Sequence, residues 1–109
     1  MATTAEAWLT REVQQHLEDY GLIGLYELPW LLRGSEFQLT DQQAIELSER
    51  VGRNVLAKEC VELHRLRWPS AEIVEGPLPS TLLGSDDIWG EGPGGTYIAL
   101  VYTDNDSLR

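Results

Sequence analysis

The sequence predicts an α+β domain, an N-terminal three-helix cluster packed on a small antiparallel sheet. Three observations carry that prediction. Apolar residues recur at helical spacing over 5–20 and again over 44–56, and each run is opened by a threonine with Glu or Gln three residues on. Residues 96–103, TYIALVYT, have the β-branched and aromatic composition of a strand. A chain of 109 residues is one domain by size and can bury a single core without covalent staples.

The first helix is expected from Thr3 to Tyr20, with Thr3 and Glu6 as its capping box. Ala5, Trp8, Leu9, Val13, Leu17 and Tyr20 make its apolar stripe, and Gly21 stands where a left-handed C-terminal cap is needed. The run 22–34, LIGLYELPWLLRG, is nearly all apolar. It predicts a short buried helix over about Leu28 to Arg33, opened near Pro29, stopped by Gly34 and lying at the centre of the core. Thr40 and Gln43 form a second capping box before a helix whose apolar face is Ala44, Ile45, Leu47, Val51, Val55 and Leu56. Gly52 costs about 1 kcal/mol inside a helix relative to alanine, so it ends, kinks or burdens this one. Across these helices Trp8, Leu17, Trp30, Leu31, Leu47 and Val51 are the expected core.

The 96–103 strand needs a partner, because a lone strand leaves its backbone groups unpaired. The candidates are 61–68 and the shorter 71–75. Residue propensity in 58–68 leans helical, but pairing favours a strand, with Val61 and Leu63 facing one way and Leu66 and Trp68 the other. Between them, residues 76–95 hold six glycines and three prolines, a composition that argues against regular structure and for a long functional loop. The tail from Asp104 to Arg109 is polar.

Charge and cysteine content bound the function. Eighteen acids against eight bases give a net charge of −10, and residues 69–109 carry seven acids and one base. Such a field repels phosphate backbones and anionic lipid and favours a protein partner with a basic surface. The single Cys60 leaves no internal disulfide, which points to a reducing, cytoplasmic compartment. The first residues have neither the basic nor the apolar region of a signal peptide, and no apolar run is long enough to span a bilayer.

No enzyme or cofactor pattern emerges. Cys60 and His64 lie four apart, but no third group orients them and no nucleophile turn surrounds them. His16 and His64 are far apart in sequence, and the acid pairs Asp86–Asp87 with Glu91, and Asp104 with Asp106, lack the spacing of a calcium loop. The glycines at 90, 92, 94 and 95 precede a strand, whereas a phosphate-binding loop follows one and opens a helix. No cofactor and no metal are expected.

The order helix, helix, helix, strand, long loop, strand resembles that of a winged helix. Within 42–63, Leu47, Val51 and Gly52 fit half of a helix-turn-helix pattern, but Arg53 and Lys58 fall where apolar anchors belong. The bases of 50–67 are interleaved with Glu49, Glu59 and Glu62, and the expected wing is acidic. The sequence therefore predicts a non-enzymatic protein-binding module, such as an inhibitor, immunity or antitoxin-like protein, an assembly factor or a complex subunit. The alternative is a winged-helix-like regulator that meets nucleic acid only as a homodimer or with a partner. The candidate partner-binding residues are Asp86, Asp87, Trp89 and Glu91, an indole set among carboxylates on the long loop. The competing reading of Trp89 is that it folds back to cover the core.

Overall fold

A computed structural model describes residues 4–70, 72–90 and 92–103. Helix α1, Ala5–Tyr20, is capped by Thr4, whose side-chain oxygen accepts from the Ala7 N–H at 3.1 Å. The cap thus falls one residue after Thr3, which lies outside the described residues. Glu6 reaches away from the cap and pairs with Arg50 at 3.1 Å. Gly21 ends α1 in the left-handed region, with its N–H on the Leu17 carbonyl. Leu9, Val13 and Leu17 are buried, while Tyr20 is exposed at the end of the expected stripe.

The segment after Gly21 is a three-residue strand, β1, Leu22–Gly24, that separates the first helix from the second. Sequence reasoning placed no strand here, because three apolar residues are too few to show alternation. The strand exists because the C-terminal strand, Thr96–Tyr102, supplies its hydrogen-bonding partners, with Ile23 opposite Leu100. Helix α2, Glu27–Arg33, ends at Gly34 as expected. It buries Leu28, Pro29 and Leu32 but leaves Trp30 65 % exposed, which corrects its assignment to the core. The reason is rotational. Leu28 and Leu32 share the inward face, and Trp30 sits two residues on, about 200° round the helix from Leu28.

Helix α3, Asp41–Lys58, opens with the expected capping box, Thr40 receiving Gln43 N–H and Gln43 receiving Thr40 N–H. It runs unbroken through Gly52, so no helix-turn-helix corner forms there. Ser48 is fully buried in α3, and its hydroxyl has no hydrogen-bond partner among the described residues. A buried unsatisfied hydroxyl is costly, and alanine is also the better helix former. Ser48→Ala is therefore expected to raise stability by about 1 kcal/mol in denaturant melts.

Strands β2, Val61–Arg67, β3, Glu72–Leu78, and β4, Thr96–Tyr102, complete an antiparallel sheet ordered β1-β4-β2-β3. Both candidate partners of the C-terminal strand are strands, and 61–67 is the one that pairs with it directly. The alternation read from sequence holds: Val61 and Leu63 join the helices in the main core, and Leu66 belongs to a separate cluster on the other face with Tyr97 and Ala99. Among the described residues the fold is three helices and a four-stranded antiparallel sheet.

The β3–β4 connection departs from the expected irregular loop. Its first residues, through Leu78, continue β3, and three short 3-10 turns follow at Ser80–Gly84, Asp86–Trp89 and Pro93–Gly95. Leu83, Ile88 and Trp89 are buried in the main core. Glycine and proline forbid long elements in this segment, but three large apolar side chains still fasten it to the core.

Candidate functional site

The outer face of the sheet carries a small aromatic array. Gly24 in β1 has no side chain, and a Cβ there would lie 2.6 Å from the Tyr26 ring and 3.2 Å from the Tyr97 ring. The glycine thus lets Tyr26 lie down on the strand beside Tyr97. Those two rings meet edge to face, centroids 5.7 Å apart at 87°, and Trp68 meets Tyr97 at 6.3 Å and 69°. Leu66 and Ala99 lie buried with Tyr97 on this face, and Leu22 and Val101 pack against them. Trp68 is fixed at the end of β2 by its backbone N–H, which donates to the Gly95 carbonyl at 2.8 Å.

Beside this array the surface sinks into a concavity of about 510 Å³, lined by Tyr26, Trp30, Arg33, Trp68, Trp89, Gly90, Gly95 and Tyr97. Its size falls in the range of ordinary ligand sites. Trp30 and Trp68 stand at its mouth, 65 % and 61 % exposed. Tyr97 and Trp89 are nearly buried and form its inner wall. Arg33 is the charged side chain of the lining, and it pairs with the exposed Asp41 at 3.5 Å.

The polar groups around the groove are held in definite states. Burial raises the Tyr26 hydroxyl above the ordinary tyrosine range, and the nearby Glu27 carboxylate and Tyr97 add to the shift. Burial raises Tyr97 in the same way, again with help from Glu27. Both phenols are therefore neutral hydroxyls at physiological pH. Glu27 is itself fastened, accepting from the Gly24 N–H at 2.9 Å and lying 3.4 Å from the His16 ring.

The sequence-predicted residues fall as follows. Trp89 is 7 % exposed and packs into the main core, so of its two readings the structure takes the covering one, while the residue also lines the groove. Asp87 is exposed and accepts a hydrogen bond from the Ser85 hydroxyl at 2.6 Å. The backbone of Asp86 opens the same short turn, its side chain lies outside the description, and Glu91, Asp104 and Asp106 lie outside the described residues. Cys60 and His64 are not brought together. Four residues of extended chain separate them by about 13 Å, and His64 bonds to Glu62 at 3.0 Å. Among the described residues no group of three His, Cys, Asp or Glu is placed to hold a metal ion, and no helix is long and apolar enough to cross a membrane.

Sequence reasoning missed Tyr26, Trp30, Trp68 and Tyr97 as a set. One signal was present: Tyr26 and Trp30 stand four apart, the spacing of neighbours on a helix surface. No family model, curated protein or solved structure matches the chain.

Proposed function

We propose that this chain is a non-enzymatic protein-binding module, a small acidic binder of the inhibitor, antitoxin or assembly-factor kind, and that it docks its partner in the aromatic groove. The observation that carries the reading is the exposure of Trp30 and Trp68 at the mouth of one concavity. Tryptophan is the residue most enriched among interface hot spots, and a contiguous exposed apolar patch marks a contact surface more often than an idle one. The net charge of −10, with Asp87 exposed two residues from Trp89, favours a partner whose surface around its apolar anchor is basic. The loop residues Asp86, Asp87 and Glu91 then steer the encounter, and the indoles hold it.

The test is affinity capture from the native host, with the wild-type chain and a Trp30→Ala/Trp68→Ala variant as parallel baits. The reading requires a protein held by the first and lost by the second, with equal thermal melts for the two baits. Retention by both baits counts against the groove.

One observation supports a second reading. The helices and strands run α1-β1-α2-α3-β2, then β4, and the strands lie in the order β1-β4-β2, an order like that expected of a winged helix, with β3 as an addition beside β2. A regulator of that shape would present α3 to nucleic acid. The charge of α3 opposes direct contact, since Arg53 is bound to Glu49 at 2.8 Å and Arg50 to Glu6 at 3.1 Å. The isolated chain is expected to bind duplex DNA no more tightly than about 10⁻⁵ M at physiological salt, the range of non-specific affinity. Sequence-selective nanomolar binding in a gel-shift titration would favour this second reading over the first.

A further inference from the structure

We infer that the groove takes a proline-rich segment in the polyproline II conformation, flanked by basic residues; the inference rests on the docking reading above. The spacing of the aromatic rings is the first argument. Tyr26, Tyr97 and Trp68 follow one another at 5.7 and 6.3 Å, each turned edge to face against the next. A polyproline II helix advances about 3.1 Å per residue, so each ring step matches a dipeptide. Tyr97, nearly buried, forms the inner wall between the half-buried Tyr26 and the exposed Trp68, and a pyrrolidine ring presents C–H groups to such electron-rich rings.

The polar groups give the second argument. Among the described residues no hydrogen bond engages the indole N–H of Trp30 or Trp68, two exposed donors open to an acceptor. The charged group of the lining is the Arg33 guanidinium, which pairs with Asp41 at 3.5 Å. A polyproline II backbone carries carbonyls with no internal partner, and proline has no N–H to compete. A free cation in the groove would meet Arg33. A single strand of nucleic acid would stack its bases on the same rings but bring phosphates to a chain of net charge −10. An extended, neutral, acceptor-rich segment suits the lining, and basic flanks suit the field around it. The ligand also loses little conformational freedom on binding, because the conformation is preformed.

The experiment is a titration of the full chain with a synthetic oligoproline peptide ended by a pair of lysines, followed by indole emission. The same titration is run with a peptide in which alanine replaces each proline, with an oligoproline ended by glutamates, and with oligothymidine. The lysine-ended oligoproline is expected to bind at least about tenfold more tightly than the other three, and Trp68→Ala is expected to lose at least about tenfold of that affinity at an unchanged melting temperature. Equal binding of the proline and alanine peptides, tighter binding of oligothymidine, or full affinity in Trp68→Ala would each overturn the inference. Failure of the peptides together with selective loss of the captured host protein in the Trp30→Ala/Trp68→Ala variant overturns the proline assignment and leaves the docking groove standing. If the double variant keeps that protein, the docking reading fails as well.

Discussion

Trp89→Ala is expected to lower stability by about 3–5 kcal/mol, the cost of removing a large buried aromatic and leaving a cavity. Trp89 is 7 % exposed, belongs to the main core with Leu83 and Ile88, and ties the glycine-rich connection to that core. A domain of ordinary stability loses about a fifth or more of its margin in that step, so the melting temperature should fall by about 12 °C or more. Trp30→Ala is the matched control. Its ring is 65 % exposed, and its removal is expected to move stability by no more than about 0.5 kcal/mol. Equal losses in the two variants would mean that the groove is closed in solution. Trp89→Phe keeps much of the buried surface and provides a folded variant for binding work if the alanine variant proves too unstable.

Gly76→Ala is the other large effect. Gly76 adopts φ +146°, a region that side chains avoid, and an added Cβ would lie within van der Waals overlap of the His64 ring, whose Nδ1 is its nearest atom. The ring cannot swing away freely. Its side chain is only 13 % exposed, and its Nε2 is held by Glu62 at 3.0 Å. The site lies where the β2–β3 register shifts, between Leu63 opposite Leu78 and Arg65 opposite Glu75. Backbone strain and displacement of the ring together are expected to cost about 3 kcal/mol or more. The two parts separate in a double-mutant cycle. His64→Ala removes the clash, so the loss from Gly76→Ala should be clearly smaller in that background. Additive losses, measured by chemical denaturation, would show that the ring is not packed on Gly76.

Much of the fold was legible because local rules and tertiary packing agree there. Thr40 and Gln43 close their capping box, Gly21 takes the left-handed cap, and the switch from Val61 and Leu63 to Leu66 puts the two faces of β2 where alternation requires. The strand argument for 61–67 succeeded against helical propensity because the backbone of β4 needs a partner, which a local scale does not count. Three features escaped. β1 is a strand only by virtue of β4. The connection after Pro79 is built by the burial of Leu83, Ile88 and Trp89, and the abundance of glycine masked those anchors. Trp30 was assigned inward because its neighbours are apolar, but the direction of a side chain on a short helix depends on where its turns begin. The candidate site was illegible for a related reason. Tyr26 and Trp30, Trp68, and Trp89 and Tyr97 come from three separated parts of the chain, and the pairing of β1 and β2 with β4 brings those parts together at one end of the sheet.

The four indole N–H resonances give the most direct test of the docking groove. A correlation spectrum of the ¹⁵N-labelled chain, assigned with single Trp→Phe variants, places a separate reporter on each tryptophan. On addition of the host protein retained by wild-type bait, the signals of Trp30, Trp68 and Trp89 are expected to shift or broaden, while that of Trp8, which packs against Phe37 away from the groove lining, stays in place relative to them. A partner that leaves the Trp30 and Trp68 signals unmoved would contradict the account.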